Sequence, residues 1–298
     1  MTATAGPAAP LVRDPEVAAW LPEARATISR VARTFSVASR LLPRPIREDV
    51  DLLYLVLRTL DDFVDGAAFD PALQERLAAV EGWAAGTAGA SGAAPGASGP
   101  AATREVRILD ELERRHPGLP REAVAHFMDG MRQDLAGPSI ATEDDLDLYS
   151  YRVAGTVGRL MAAILGARGE AAADRAARSL GIAMQRTNIL RDIDEDLANG
   201  RVYLPAATLA AHVIRDLAAD DRTTLLRDEI ARADAAYEAG IAGIPLLLHG
   251  RRSILAAALM YREILRQLER DALGARRPHR AVVPRSRKLA LLARSVVG

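Results

Sequence analysis

Apolar residues recur every three or four positions along most of this chain, a spacing that is typical of amphipathic α-helices. The predicted helices span residues 14–42, 46–64, 103–115, 121–135, 149–165, 172–198, 206–211, 223–244 and 253–273. We expect Pro43, Pro45 and Pro245 to interrupt the helical pattern, because proline lacks the amide hydrogen of the helix ladder. No stretch shows the strict alternation that a half-buried strand needs. The pattern therefore predicts an all-α protein with many helices around a central cavity.

Two stretches lack this pattern. Residues 1–13 are predicted to be disordered, and residues 84–101 consist of the small residues that are typical of a flexible surface loop. Residues 14–298 are predicted to form a single domain that contains this loop, because a chain of this length can bury one large core. The end of the chain, residues 278–297, is basic.

Composition excludes several classes of protein. Lys and Arg together number 39, as do Asp and Glu, so no net charge favours nucleic acid as a partner. The chain has no cysteine, which excludes disulfides and thiolate chemistry. Its start does not resemble a signal peptide, and its apolar runs are shorter than the roughly 20 residues of a membrane span. We therefore expect a cytoplasmic protein.

A stripe of polar residues lies within the predicted helix 172–198. Gln185, Asn188, Asp192 and Asp196 follow one another at steps of three, four and four, which places them on one helix face. Buried carboxylates are costly unless a cation meets them. The stripe therefore predicts a cationic partner for its two aspartates.

A second acidic pair lies in the helix predicted at 46–64 and just after it. Asp61 and Asp65 are four residues apart, with Tyr54 and Arg58 upstream on the same face. Each pair alone fits a solvated helix face equally well, but two such pairs suggest a shared polycation. Mg²⁺ typically takes one or two carboxylates together with substrate phosphates. The residues therefore predict a helical cleft that holds a diphosphate through Mg²⁺.

Three sequence blocks strengthen this interpretation. They read RTLDDFVD, YRVAGTVG and LGIAMQRTNILRDIDED, the last followed by RVYLP. Together they resemble the squalene/phytoene synthase family, whose members join two prenyl diphosphates head to head, and the likeness runs from about residue 34 to residue 288. It implies a fold of the isoprenoid-synthase type, prenyl diphosphate substrates, and Mg²⁺, for which Mn²⁺ can substitute. Use of NADPH stays open, because squalene formation requires it and phytoene formation does not.

The resemblance also assigns roles to residues. It implies that Tyr149 moves a proton or stabilises a cation beside a cyclopropyl intermediate. It makes the four paired aspartates catalytic through the metal, and the implied metal ligands are Asp61, Asp65, Asn188, Asp192 and Asp196. The residues that it places around the substrate are Thr34, Phe35, Tyr54, Arg58, Asp134, Val153, Ala154, Val157, Gly158, Gln185, Asn188, Arg201, Tyr261, Arg280 and Lys288.

Several of these residues also have a purely structural interpretation. Tyr149 could be a core residue, and the small residues at 153–158 could simply allow close helix packing. Arg191 is as well suited to an ion pair with Asp192 as to a phosphate contact. Glu195 is expected to be solvated, and a solvated basic tail is an equally good interpretation of residues 285–294.

One departure from the family pattern leaves the second substrate open. The family usually has Ser-x-Ser-Phe where this chain has Ala32, Arg33, Thr34 and Phe35, so that one hydroxyl is lost and one cation is added. This departure motivates one alternative to head-to-head condensation: transfer to another acceptor such as an aromatic ring, or cyclisation of one prenyl diphosphate. A separate alternative, which does not depend on it, is a catalytically silent interaction partner. Loose membrane association would suit an apolar product. Substrate length, oligomeric state and pathway are not determined by the sequence.

Overall fold

The computed structural model describes residues 12–66, 71–87, 102–137 and 139–297, and within them every side chain except those of 31, 33, 34, 62–66, 71–73, 296 and 297. Most of residues 1–13 and 84–101 lies outside the described residues, so the disorder predicted there stays a prediction. The same is true of the division into one domain.

The described part of the chain is built of helices. They are α1 (Pro15–Ala19), α2 (Leu21–Val31), α3 (Arg33–Ser39), α4 (Arg44–Gly66), α5 (Pro71–Ala84), α6 (Arg104–Arg115), α7 (Arg121–Leu135), α8 (Glu143–Ser150), a π-helical segment (Tyr151–Gly155), α9 (Thr156–Leu165), α10 (Glu170–Ala198), α11 (Ala206–Ala211), α12 (Thr223–Ala242), α13 (Arg251–Arg270) and α14 (Arg285–Val297), with 3₁₀ turns at Ile244–Leu246 and Ala272–Gly274. Among the described residues no strand occurs, and one isolated bridge joins Ala167 to Leu247. The all-α prediction is confirmed.

Helix ends mostly follow local sequence signals. The Thr142 hydroxyl accepts a hydrogen bond from the Asp145 amide while the Asp145 carboxylate accepts one from the Thr142 amide, which is a capping box. The acidic stretch before Tyr149 is therefore the start of α8, although the pattern predicted a helix only from Tyr149. Helix α10 ends at Ala198, with Asn199 as its C-cap, because the next residue, Gly200, adopts a positive φ of 72°.

Three helix predictions were wrong in detail. The segment 14–42 is three short helices, because Pro22 starts a new first turn in α2 and Ala32 has non-helical backbone angles. The break predicted at Pro43 is confirmed, because α3 ends at Ser39 and α4 begins at Arg44, but Pro45 lies within the first turn of α4, where its missing N–H is not needed. Helix α5 was not predicted, since its alanines and glycine blur the apolar spacing, yet Trp83 in it is fully buried.

Helix α10 lies at the centre of the fold and contacts α8, α9, the π-helical segment, α12 and α13. Close packing depends on two glycines. A Cβ at Gly181 would lie 2.3 Å from the Ala154 carbonyl oxygen, and a Cβ at Gly158 would lie 2.3 Å from that of Ala177. The backbone of α10 therefore lies directly against the backbones of the π-helical segment and of α9. No described helix is long and apolar enough to span a lipid bilayer.

Candidate active site

A cavity of about 420 Å³ lies between the helices that surround α10. Most of its wall is apolar, contributed by α3, α7, α9, α10, α13 and the 3₁₀ turn after α12. The apolar residues that line it include Phe35, Leu57, Phe127, Met131, Met161, Leu165, Leu180, Met184, Ile244, Leu247 and Ile254. Its polar lining residues are Arg58, Asp61, Asp134, Gln185 and Asn188, with the phenols of Tyr54, Tyr149 and Tyr261. The cavity can therefore hold a long apolar group that carries a polar head.

Most of the sequence-predicted substrate residues line this cavity. Those that do are Phe35, Tyr54, Arg58, Asp134, Val153, Ala154, Val157, Gly158, Gln185, Asn188 and Tyr261, together with Asp61 and Tyr149. Arg201, Arg280, Lys288, Asp192 and Asp196 are not among the lining residues. The side chains of Thr34 and Asp65 lie outside the described part of the chain.

The π-helical segment keeps one face of a long helix turned toward the cavity. Tyr149, Val153, Val157 and Met161 are spaced four apart and all line it. In a regular α-helix each step of four rotates a side chain by about 40°, because a turn contains 3.6 residues. The wider turn at Tyr151–Gly155 offsets part of this drift. On the same stretch, Ala154 and Gly158 line the cavity and also lie against the backbone of α10. Their small size therefore leaves space in the cavity and allows the helices to pack closely.

Two stacked tyrosines hold one carboxylate. The Tyr149 hydroxyl donates to Asp134 at 2.9 and 3.1 Å to its two oxygens, and the Tyr203 hydroxyl donates to Asp134 at 3.3 Å. The two rings stack with their centroids 5.2 Å apart. Burial, together with the charge of Asp134, holds the pKa of Tyr149 far above its usual range. Tyr149 is therefore a neutral phenol at any ordinary pH.

Tyr203 is a site residue that the sequence did not single out. It lies in the RVYLP block, so the resemblance contained a signal, but nothing in local spacing connects it to Asp134 or Tyr149. The small residues at the far wall of the cavity were also missed. They are Ala173, Ala176, Ala177, Gly240 and Gly243.

On α4, a cation lies beside Asp61, the member of the second acidic pair whose side chain is described. The Arg58 guanidinium donates to the Asp61 carboxylate at 2.6 Å. Burial raises the pKa of Tyr54 to about 12, with further contributions from Tyr261 and Asp61. Helix α4 therefore presents a carboxylate, a guanidinium and a protonated phenol on one face.

On α10, the polar stripe begins inside the cavity and continues beyond it. Gln185 and Asn188 line the cavity, and the Asn188 amide nitrogen donates weakly to the Gln185 oxygen at 3.4 Å. The Asn188 side-chain oxygen is buried and has no hydrogen-bond partner among the described residues. Asp192 and Asp196 lie one and two turns further on, about 6 and 12 Å along the helix axis.

The two aspartates beyond the cavity have different surroundings. Asp192 accepts hydrogen bonds from Arg191 at 2.8 and 2.5 Å, and the Arg280 guanidinium lies 3.3 Å from it. The ion-pair interpretation of Arg191 is thus the arrangement seen. Burial and the charge of Asp192 raise the pKa of Asp196 to about 6, although Arg201 and Arg191 oppose the rise. Asp196 therefore lies in a half-buried position beside a second carboxylate, where its charged form is disfavoured.

The remaining predicted residues lie outside the cavity. Arg201 affects the pKa values of Asp196 and Tyr203, so it lies near both. Glu195 is exposed, as expected, but it pairs with Arg280. Lys288 is half-buried on α14. Among the described side chains, no three His, Cys, Asp or Glu residues are close enough together to hold a metal ion.

The donors at this end of the cavity nevertheless fit a hard divalent cation. An unpartnered amide oxygen on Asn188 and carboxylates on Asp61, Asp192 and Asp196 are oxygen ligands of the type that Mg²⁺ prefers. Burial and the charge of Asp192 raise the pKa of Asp196, and a bound cation would favour the charged form of this carboxylate. A site with few carboxylates also suits Mg²⁺, which takes part of its ligands from substrate phosphates.

Fold and site together define an all-α protein that encloses an apolar chamber with acidic helices near its polar end. A family model described as squalene/phytoene synthase matches residues 28–287. The phytoene synthase of Thermus thermophilus is 41% identical over 252 residues, which cover 82% of each chain. The 15-cis-phytoene synthase of Synechococcus elongatus is 33% identical over 290 residues, 91% of this chain and 90% of the relative.

A solved dehydrosqualene synthase in complex with a ligand has the same fold. It superposes with a TM-score of 0.79 at 24% identity and covers 95% of this chain and 97% of its own. The chain belongs to the squalene/phytoene synthase family and is a prenyltransferase. The resemblance found in the sequence is therefore confirmed.

Proposed function

We propose that this prenyltransferase condenses two prenyl diphosphates head to head through a cyclopropylcarbinyl diphosphate. The observation that carries the proposal is an apolar cavity that is lined both by Asp61 of α4 and by Gln185 and Asn188 of α10. Its apolar wall suits prenyl chains, and its polar lining presents the carboxylates and guanidinium that a diphosphate and its counterions need. The similarity to phytoene synthases over most of the chain supports the same reaction.

The reaction begins when the C1–O bond of one substrate breaks and the electron pair leaves with pyrophosphate. The allylic cation is then attacked by the C2–C3 alkene of the second substrate, and loss of a proton closes the cyclopropane ring. A second ionisation, rearrangement and proton loss give a linear hydrocarbon. Mg²⁺ bound by Asp61, Asp65, Asn188, Asp192 and Asp196 would neutralise charge on the departing pyrophosphate.

Residues that line the cavity then stabilise the carbocation intermediates and protect them from water. Tyr149 stays protonated, so it serves through its ring face and oxygen lone pairs rather than as a phenolate base. Asp134 accepts hydrogen bonds from Tyr149 and Tyr203 and thereby fixes both rings. The apolar wall excludes water, which would otherwise capture an allylic cation as an alcohol.

We further propose that the product forms without a reductant, as phytoene does, because both of the relatives described above are named phytoene synthases. In that case NADPH is not a substrate. The length of the substrate, farnesyl or geranylgeranyl, is left to experiment.

Product analysis tests the proposal. Farnesyl and geranylgeranyl diphosphate are supplied separately with Mg²⁺, with and without NADPH, and hydrocarbons and released pyrophosphate are quantified. We expect one hydrocarbon of doubled chain length and two pyrophosphates per product, with no change on adding NADPH. A squalene-type product that appears only with NADPH would contradict the non-reductive step alone.

A parallel incubation adds an aromatic acceptor. Ala32 lines the cavity where the family pattern has a serine, so the change of residue lies inside the chamber. If only an alkylated acceptor or a cyclised monomer forms, the head-to-head proposal is wrong and the alternative holds. Absence of any pyrophosphate release would instead indicate the catalytically silent partner.

A further inference from the structure

Positive charge is concentrated in two parts of a chain whose total charge is balanced. Residues 24–47 contain six arginines, and residues 272–298 contain six arginines and one lysine. Neither stretch contains an aspartate or a glutamate. Since Lys and Arg equal Asp and Glu at 39 each over the whole chain, these two stretches must be offset by an acidic excess elsewhere.

The fold brings the two basic stretches against the same helix. Helices α3 and α14 both contact α13. Their inner faces join one apolar cluster, in which Ala38 of α3 and Leu291 of α14 are buried together with Met260 of α13. The outer surfaces of α3 and α14 therefore belong to one region of the molecule.

Those outer surfaces expose apolar side chains between cations. Val37 of α3 is 39% exposed, Leu41 in the turn after α3 is 38% exposed, and Leu289 of α14 is 64% exposed. Arg40, the C-cap residue of α3, and Arg285, the first residue of α14, are also exposed, and neither is in an ion pair with a carboxylate among the described residues. Arg40 and Leu41 thus follow Val37 at the end of α3, and Arg285 and Leu289 share a face of α14 through a step of four. These five residues form what we call the α3–α14 patch.

The patch is separated from the cavity by a single layer of side chains. Phe35 packs against the cluster beneath the patch and also lines the cavity, and Ala257 of α13 does both as well. If the cavity holds prenyl chains, as the proposed function requires, a lipid-soluble product would leave close to this surface. This point rests on the proposed function, whereas the charge and exposure of the patch do not.

We propose that the α3–α14 patch docks the protein on an anionic lipid bilayer. Exposed Leu and Val side chains beside Arg are the composition of helices that lie in the membrane interface, where apolar groups enter the acyl boundary and cations meet lipid phosphates. Three exposed apolar side chains, on two short helices and the turn after α3, give weak, reversible binding that depends on anionic lipid. Charge complementarity selects an anionic bilayer over a neutral one.

Vesicle flotation with the full-length protein, without substrate, tests the patch. Vesicles of phosphatidylcholine alone are compared with vesicles containing one third phosphatidylglycerol, at low and high salt. We expect binding to the anionic vesicles only, and weaker binding at high salt. Because each surface cation contributes about fivefold to partition, R40Q/R285Q should weaken binding by roughly thirtyfold. L41Q/L289Q should also weaken it, through loss of apolar contact.

Matched variants control for the loss of charge and of apolar surface as such. Arg175 and Arg227 are exposed arginines on α10 and α12, and Leu248 is 48% exposed outside the patch. R175Q/R227Q and L248Q should bind anionic vesicles as the wild type does. Circular dichroism and thermal unfolding establish that every variant is folded.

The outcomes separate this proposal from the proposed function. Condensation in detergent by a protein that does not bind vesicles would overturn the patch proposal and leave the function intact. Vesicle binding that depends on the patch, in a protein that makes no condensed product, would support the patch proposal and contradict the proposed function. Equal binding to neutral vesicles, equal losses in the control variants, or binding of nucleic acid or an acidic protein in place of vesicles would each overturn the patch proposal.

Discussion

At the scale of single residues, Asp61 and Asp192 lie in unlike surroundings on two different helices. Asp61 lines the cavity beside Arg58, whereas Asp192 lies beyond it between Arg191 and Arg280. Each aspartate already has a guanidinium neighbour, so neither needs a metal for stability. Their loss should therefore affect chemistry more than folding.

We predict that Asp61→Ala or Asp192→Ala lowers kcat by on the order of a hundredfold to a thousandfold, because each removes an oxygen ligand that stabilises the leaving pyrophosphate. Far-ultraviolet circular dichroism should stay unchanged. The control is Glu238→Gln, an exposed acid of α12 outside the two acidic pairs, which should keep kcat within about threefold. Near-normal turnover in either aspartate variant would remove the metal-site hypothesis.

A second prediction concerns the tyrosine pair. Tyr149→Phe should lower kcat by roughly a hundredfold if the phenol oxygen supports a cation or a proton transfer. Tyr203→Phe keeps the ring stack and loses a 3.3 Å hydrogen bond, so it should lower kcat by only about fivefold. Steady-state kinetics should show both effects in kcat rather than KM, and equal effects would contradict a special role for Tyr149.

At the scale of helices, a buried ion cluster joins α8, α10 and α12. Arg186 of α10 is 4% exposed and donates to Asp147 at 2.9 Å, Glu143 at 2.8 Å and Glu229 at 2.9 Å. Three carboxylates thus share one guanidinium. Burial and the charge of Glu143 raise the pKa of Glu229 to about 7, whereas hydrogen bonds from Thr208 and Arg186 outweigh burial and lower that of Glu143.

This cluster makes stability depend on pH in a defined direction. Because the folded protein binds the Glu229 proton more tightly than the unfolded chain, the contribution is present below pH 4.5 and is lost as pH rises toward about 7. The lowered pKa of Glu143 acts below pH 4.5, outside this window. We predict that Glu229→Gln, which stays neutral, gains up to about 2 kcal/mol relative to the wild type between pH 5 and pH 7.5.

Urea unfolding of the wild type and of Glu229→Gln at pH 5 and pH 7.5 measures this difference in the free energy of unfolding. As a control, Glu238→Gln on the exposed side of α12 should show no such trend, because its side chain is 71% exposed. A Glu229→Gln protein whose stability relative to the wild type does not change between the two pH values would contradict the raised pKa.

At the scale of the whole molecule, the cavity exists because segments far apart in sequence meet around α10. Phe35, Asp61, Asp134, Tyr149, Asn188 and Tyr261 come from different parts of the chain and line one space. Near its polar end, Asp192 and Asp196 lie close enough together for the charge of Asp192 to add to the effect of burial and raise the pKa of Asp196. Binding of Mg²⁺ and pyrophosphate there should therefore stabilise the fold as a whole.

We predict that Mg²⁺ with pyrophosphate raises the Tm of the wild type by about 2–4 °C for each kcal/mol of binding free energy. Mg²⁺ alone should raise it less, since phosphates complete the coordination. Asp192→Ala should lose most of the shift, whereas Glu238→Gln should keep it. Differential scanning calorimetry measures this Tm shift without any turnover. An equal shift in the wild type and in both variants would mean that the ions bind at another site.

A separate prediction is that the wild-type protein is active with Mg²⁺ alone and does not require Zn²⁺. Lack of activity with Mg²⁺ alone would contradict it.

The sequence by itself determined the helical class and the helix positions of the two acidic pairs, because a period of 3.6 and a step of four are local properties of one helix. It also determined the family, through three contiguous sequence blocks. It could not determine that Tyr203 stacks on Tyr149, or that Ala176 and Gly243 close the far wall. Those contacts join residues with no shared periodicity. Only the tertiary structure decided them, because they depend on how closely glycine-bearing helices such as α9 and α10 can approach.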